Sequence, residues 1–361
     1  MSSYSVAEDR GRERDLEWDA FVDAARGGHH AQTSLWAAVK ATLGWEAARL
    51  IARRDAEIAG GVQLLVRGLG RAGAVAFAPR GPVLGSDDPE LVAVLERAVM
   101  RLGRRHGIRY VKLQPPEGRD AAARALRARG WTPSAIEAAP VCSVRVRIDR
   151  PDDAILGAMR KSTRKGIRKA AEAGLQVRTG GEEDLPAFYR LVQATASRHG
   201  FDPYPERCYE AMWREFGAQG RATLMIGEVE GRPLAGTLAL AWGDSAVAKM
   251  GGWCGDRQTI HPNSSIDYAC MRWSRELGMR WFDFDGVPLA IARAVRAGDP
   301  LPEAARTGAT VYKLGFGGEI VIFPGALDSS PHPILRPAVR LTAPRLTSFR
   351  SVAHRALGRG A

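Results

Sequence analysis

The sequence predicts an α+β protein made of two tandem domains built on one plan. Three observations carry that expectation. The chain has 361 residues, against an ordinary domain size of about 150. Its 45% hydrophobic and 25% charged content is that of a globular protein able to fill two cores. One order of helices and β-rich runs also occurs twice along the chain.

In the first half, strand-like runs cover Ala48–Arg53, Gly60–Arg67 and Ala74–Ala78. Pro89 can open a helix, and Leu91, Val94, Leu95, Ala98 and Leu102 keep helical spacing as far as His106. A β-branched run, Arg109–Leu113, a helix, Asp120–Arg129, and an alternating strand, Val141–Ile148, complete this half. The second half leads with two helices, Asp153–Ala173 and Glu183–His199. A three-strand meander follows, Ala222–Val229, Leu234–Trp242 and Ala246–Trp253, with a Glu230-Gly231 turn. The half closes with a helix over Ser265–Leu277, stopped by Gly278, a strand over Arg280–Phe284, the run Tyr312–Phe316 and a last strand over Glu319–Phe323. Helix, helix, three strands, helix, strand and closing strand is the order of an acyl-CoA N-acyltransferase (GNAT-like) domain. The reading is therefore residues 1–150 as domain 1, 151–330 as domain 2 with a basic helix over 153–173, and 331–361 as a basic tail. Pro288–Thr310 is read as a long irregular connection.

The balance of 52 Lys+Arg against 40 Asp+Glu leaves +12, which points to an anionic partner. Arg160, Lys161, Arg164, Lys165, Arg168 and Lys169 supply six positives without an acid, in two adjacent rows of a helix whose other side carries Met159, Thr163, Ile167 and Ala170. Six like charges at this spacing repel unless phosphate neutralises them, which favours a phosphate-rich partner over a merely solvated face. The tail adds Arg336, Arg340, Arg345, Arg350, Arg355 and Arg359, again without an acid, and suits a nucleic-acid arm, an anchor on anionic lipid or a disordered arm.

No run approaches the ~18 apolar residues of a membrane span. The charged N-terminal stretch is unlike a signal peptide, so the expected compartment is the cytoplasm. Cys142, Cys208, Cys254 and Cys270 form no C-x-x-C pair and His29-His30 are adjacent, so neither disulfide nor metal site is expected.

Gly68-Leu69-Gly70-Arg71-Ala72-Gly73 matches G-x-G-x-x-G, but a strand follows it rather than a helix, so it reads as a hairpin turn. The loop where a coenzyme A pyrophosphate grip would stand, Gly255–Ser264, has one glycine and not the spacing to wrap a diphosphate. The acyl donor is therefore expected to be something other than coenzyme A, with no cofactor. There is no G-x-S-x-G elbow or H-E-x-x-H, so a covalent acyl-enzyme has little support. Direct attack by an amine on an ester needs positioning, an oxyanion stabiliser and a route for one proton. Lys313, in Tyr312-Lys313-Leu314-Gly315-Phe316-Gly317-Gly318, is the candidate cation. Asp283 and Asp285, in Trp281-Phe282-Asp283-Phe284-Asp285-Gly286, are either structural acceptors or the proton acceptor.

Several segments together resemble the Fem-type (FemABX) peptidyltransferases. They are Gln32–Lys40, Pro79–Val83, the basic helix ending Ile167-Arg168-Lys169-Ala170, Arg198–Tyr209, Phe282–Gly286 and Tyr312–Gly318, in family order over roughly residues 30 to 328. The resemblance implies two tandem GNAT-like domains and transfer of an amino acid from aminoacyl-tRNA to the side-chain amine of a peptidoglycan-precursor stem peptide. It implies Lys40 and Arg198 as precursor-phosphate contacts, with Arg80 and Tyr209 in the acceptor-binding segments, and Lys313 beside the reacting acyl group. Arg160, Lys161, Arg164, Lys165 and Arg168 are then the tRNA-facing cations. A monomer is expected, meeting a nucleotide- or lipid-linked acceptor at the inner face of the membrane. The chain departs from the family at Met250 and Gln114 and lacks the coiled-coil arm of some members. Two other readings stay open: an acyl- or aminoacyltransferase of natural-product biosynthesis or resistance, and a non-catalytic protein binding RNA or a membrane surface.

Overall fold

The computed structural model describes residues 4–342 apart from 10–12, 136–138, 256–260, 302 and 304–307. Arg345, Arg350, Arg355 and Arg359 of the tail lie outside the described residues, as does Asp256–Ile260 of the loop read above. The chain divides into two compact units, Met1–Val141 with Phe323–Ala361, and Cys142–Ile322.

In chain order the first unit has β1 (Ser5–Asp9), α1 (Leu16–Ala24), α2 (Ser34–Ala41), β2 (Glu46–Arg54), β3 (Glu57–Gly68), β4 (Ala74–Pro79), β5 (Val83–Leu84), α3 (Pro89–Arg105), β6 (Ile108–Gln114), α4 (Asp120–Ala128) and β7 (Thr132–Pro133). The second has β8 (Cys142–Arg147), α5 (Asp152–Ala158), α6 (Lys161–Glu172), β9 (Gln176–Thr179), α7 (Leu185–His199), α8 (Glu206–Met212), β10 (Ala222–Val229), β11 (Arg232–Trp242), β12 (Ser245–Trp253), α9 (Asn263–Glu276), β13 (Trp281–Asp283), α10 (Leu289–Ala297), α11 (Ala309–Leu314) and β14 (Glu319–Ile322). The chain then returns to the first unit with β15 (Leu327–Ser329) and α12 (Arg336–Thr342).

The first sheet runs β1-β2-β3-β4-β6-β15-β7, with β5 beside β3, and β4 and β6 are its parallel pair. Asp88 caps α3 through its side chain, with Pro89 at the first turn. The apolar stripe read from sequence, Leu91, Val94, Leu95, Ala98 and Leu102, is buried. Gly68–Gly73 is a hairpin turn between antiparallel β3 and β4, as its continuation predicts. Gln32 fixes the Pro79–Val83 segment: its amide donates to the carbonyls of Gln63 and Pro79 at 3.1 and 2.9 Å. A side chain at Gly81 would meet Gln32 at 2.8 Å, which is why glycine stands there.

The second sheet runs β14-β8-β13-β12-β11-β10-β9, with β12 and β13 parallel. Gly252 lets α7 lie directly on β12, since a Cβ there would come within 2.7 Å of the Val192 amide nitrogen. Among the described residues no coiled-coil arm stands between α8 and β10.

Three readings from sequence are corrected. Strand 141–148, taken as the end of the first half, is β8 and lies in the second sheet between β13 and β14. The strand beside β6 is instead β15, from the far end of the chain. The basic helix is two helices, broken where Met159 and Arg160 turn extended (ψ 150 and 147). That break lets the Arg160 amide donate to the Gly315 carbonyl at 2.8 Å. Pro288–Thr310 is not irregular throughout but holds α10, ended by left-handed Gly298. Tyr312–Leu314, given no element from sequence, belongs to a helix, α11.

Candidate active site

The parallel seam of the second unit is short. Ser245, Ala246 and Val247 pair with Trp281, Phe282 and Asp283, and there the pairing stops. Beyond it the chain follows β8 instead, the amides of Phe284 and Val287 donating to the carbonyls of Val144 and Cys142 at 3.0 Å each. Strand β12 continues to Trp253 without a parallel neighbour. A sheet that opens in this way leaves a gap at the C-terminal ends of its parallel strands, where ligands of α/β sheets bind.

Around this gap three polar groups converge. α9 buries Ile266, Asp267, Cys270, Met271 and Ser274 on one face, so a carboxylate stands in an otherwise apolar stripe. Asp267 accepts from the Thr237 hydroxyl of β11 at 2.9 Å and from the Tyr312 hydroxyl of α11 at 2.6 Å. Burial pushes its carboxyl up to about 6, although both hydrogen bonds and the nearby charge of Lys313 oppose the rise. The same burial, with Asp267 beside it, drives the Tyr312 phenol well above its usual value. Tyr312 is held by rings on either side, Phe316 at 5.3 Å and Phe284 at 6.3 Å.

Lys313, the next residue, points to the turn after β13. Its Nζ donates to the carbonyl oxygens of Asp285 and, at 2.7 Å, Gly286. Burial lowers its pKa, and Asp285, Asp283 and Asp267 pull the other way. The turn is unusual backbone, Asp285 at φ 49 and Gly286 at φ 46. The Asp283 carboxylate holds it in shape by accepting from the Asp285 amide at 2.7 Å and from the Ser143 hydroxyl. Lys249 approaches the Asp285 carboxylate at 3.7 Å. Asp283 is thus tied up in the turn's own geometry, and Asp267 is the carboxylate beside the gap with a perturbed proton affinity. Sequence reasoning misses Asp267, though a signal for it exists: an acid on the buried face of a helix.

On the other side of α11 lies a cleft of about 300 Å³. Its walls are Arg160, Ser162 and Thr163 at the start of α6, Asn263 and Ser264 at the start of α9, Trp253 at the end of β12, and Val311, Tyr312 and Gly315 of α11. Two helix N-termini therefore face one space, and their unpaired amides and dipoles favour an anion. Tyr312 joins the two features, lining the cleft while its hydroxyl binds Asp267.

The other expected site residues fall in several places. Arg198 lies flat on Trp253, 4.9 Å from the ring centroid, and donates to the Trp253 carbonyl at 2.5 Å, fixing the cleft wall. Tyr209 is 1% exposed, packed on Phe188 and Tyr189, so the structure puts it in the core rather than at the cleft. Lys161, Arg164, Lys165 and Arg168 are exposed on α6, and Arg160 at its N-terminus lines the cleft. Arg164 also donates to the carbonyls of Leu156 and Gly157 at 3.3 Å, closing the end of α5. Arg168 has an acid one turn on, Glu172 at 3.4 Å. In the first unit, Lys40 of α2 is half-buried with Nζ 5.6 Å from the Trp36 ring. Arg80 is 4% exposed, stacked 3.7 Å from the Phe323 ring centroid and donating to the Pro140 carbonyl at 2.9 Å. Among the described residues no group of three or more His, Cys, Asp and Glu is placed to hold a metal ion.

Comparison with known proteins agrees with the fold of the two units. Residues 14–125 match the model of the FemAB family, and residues 157–299 match an acetyltransferase (GNAT) domain. A lipid II:glycine glycyltransferase of Staphylococcus aureus is 22% identical over 95% of this chain and 98% of its own length. The one from Staphylococcus saprophyticus is 26% identical over 61% of this chain and 56% of its own. The crystal structure of FemX superposes with a TM-score of 0.80 at 19% identity, covering 93% of this chain and 99% of that one.

Proposed function

From a Fem-type transferase chain of two tandem GNAT-like domains, we propose that the protein moves an amino acid from aminoacyl-tRNA to the side-chain amine of a peptidoglycan-precursor stem peptide. The observation that carries this reading is the cleft faced by two helix N-termini and Arg160, with the Tyr312–Asp267 pair in its wall. Such a space suits the phosphodiester end of a charged tRNA, and the exposed cations of α6 suit the phosphates behind it. The acceptor comes from the relatives, which are named for glycine transfer to lipid II.

The chemistry needs little from the protein because the ester is already activated. The amine nitrogen bonds to the ester carbon, the carbon–oxygen bond to ribose breaks, and the proton shed by nitrogen ends on the ribose hydroxyl. Asp267, with its raised proton affinity, takes that proton and Tyr312 relays it. Lys313, whose Nζ is turned to the carbonyls of Asp285 and Gly286, is assigned the positive charge beside the developing oxyanion on the family resemblance alone. Lys40 and Arg198 are assigned to the acceptor's phosphates on the family resemblance alone. Arg80 and Tyr209 are assigned to holding the surrounding backbone, because both are buried.

The test is a transfer assay with purified protein, a mixed pool of charged tRNAs and, in separate arms, nucleotide-linked and lipid-linked precursor. The expected product is the precursor heavier by one amino-acid residue, its formation abolished by ribonuclease. Absence of ribonuclease-sensitive transfer to either acceptor overturns the reading, and transfer from acetyl-coenzyme A instead would replace it.

A further inference from the structure

In the first unit, arginines from three elements meet around one depression of about 550 Å³. Arg97, Arg101 and Arg104 come from the outer face of α3, Arg129 from just beyond α4, and Arg336 from α12. Arg340 reaches the same neighbourhood, its guanidinium 2.9 Å from where a side chain at Gly130 would begin. The one acid in the lining, Glu96, is buried and spent: Arg129 donates to it at 2.6 Å. Arg104 and Arg336 donate only to the backbone carbonyls of Pro331 and Ser330, at 3.3 and 3.0 Å, which leaves their charge uncompensated. Arg97, Arg101 and Arg340 have no acidic partner among the described residues. Like charges so close cost energy in the free protein, and an anionic partner removes that cost.

What the partner is follows from the apolar side chains. The segment that carries Arg336 and Arg340 is bracketed by Ile334, 90% exposed, and Leu341, 64% exposed, the former the most exposed large hydrophobic residue among those described. A strand of RNA would use the arginines but gain nothing from bare aliphatic side chains, whereas arginines beside exposed aliphatics are the composition of surfaces that lie in the headgroup layer of a bilayer. We propose that this face docks the protein on an anionic phospholipid membrane, the arginines on lipid phosphates and Ile334 and Leu341 in the boundary below them. Docking is a property of the first unit and is independent of the transfer chemistry.

The experiment is co-sedimentation of the full chain with vesicles of equimolar phosphatidylglycerol and phosphatidylcholine, against phosphatidylcholine alone. Binding is expected to the anionic vesicles only, and to weaken as salt is raised. Arg97→Glu with Arg101→Glu should lower the affinity by about tenfold or more, since each basic residue near such a surface counts. Ile334→Ser should lower vesicle binding severalfold while leaving binding to a single-stranded RNA of mixed sequence unchanged. All three positions are exposed, so circular dichroism should show an unaltered fold. Vesicle binding unaffected by the arginine pair overturns the proposal, as does Ile334→Ser without effect on vesicles. An RNA affinity that falls with the arginine pair while vesicle binding does not assigns the face to nucleic acid instead.

Discussion

The same fold occurs twice in this chain, and its two parallel seams have gone opposite ways. In the first unit β4 and β6 stay paired from Ala74 with Ile108 to Pro79 with Gln114. A further bridge joins Gly81 to Gln114. Behind that seam sits a buried ion pair, Lys112 with Asp328 at 2.7 Å, both side chains 1% exposed. In the second unit the seam ends after three residue pairs, and the polar groups beside it are Asp267, Tyr312 and Lys313. A gap zipped shut can hold charges only as a compensated pair. Burial displaces proton affinity in both, lowering Lys112 against the charge of Asp328 in the closed seam and raising Asp267 to about 6, with only hydroxyls bonded to its carboxylate, in the open one. On the proposed function, one scaffold serves as support in its first copy and as chemistry in its second.

That contrast can be broken most directly at Asp328. Asp328→Ala leaves Lys112 buried without its counter-charge and should cost about 3–5 kcal/mol of stability, read by denaturant unfolding. A change below about 1 kcal/mol would mean that the pair does not lock the closed seam. In the open seam the expected effect is on rate. Lys313→Ala should slow transfer by about 10²–10³-fold with little change in circular dichroism, and equal activity would remove Lys313 from the mechanism.

A smaller effect sharpens the role of the carboxylate. Buried Asp267 holds its proton more tightly in the folded protein than in the unfolded chain. Its contribution to stability is therefore greatest below the ordinary carboxylate value and declines as pH rises towards about 6. Its capacity to accept a proton rises over the same window. Transfer should climb as pH passes about 6, and Asp267→Asn should flatten that limb of the profile. A profile unchanged by Asp267→Asn assigns the proton to another group. The smallest effect belongs to α6: replacing Lys161 and Lys165 by Gln should weaken tRNA binding. It should also reduce the slope of log affinity against log salt by roughly 0.7–0.9 for each phosphate no longer neutralised. An unchanged slope would place the tRNA elsewhere.

Much of this architecture is legible in the sequence because hydrophobic period is local. The stripe from Leu91 to Leu102, the Gly68–Gly73 turn and the meander over residues 222–253 each declare themselves within a few turns of chain. What sequence hides is pairing at long range. Nothing in Cys142–Arg147 says which sheet it joins, since an alternating strand fits either. The break at Met159–Arg160 is equally silent, because the carbonyl that accepts from the Arg160 amide there belongs to Gly315, far along the chain. At the site, Lys313 stands out by its glycine-rich surroundings and resemblance. Asp267 is hidden by the ordinary expectation that a carboxylate in an amphipathic helix faces water.

The placement of β8 and β15 has a consequence for how the protein can be made. A ribosome that has released residues 1–141 has delivered a first sheet still missing Leu327–Ser329, which pairs with both β6 and β7. The first unit can therefore complete itself only after Leu327–Ser329 has emerged, behind all of the second unit. A fragment ending at Val141 would leave β6 and β7 without the strand that lies between them, an edge open to aggregation, and a fragment starting at Cys142 would carry β15 without its partners.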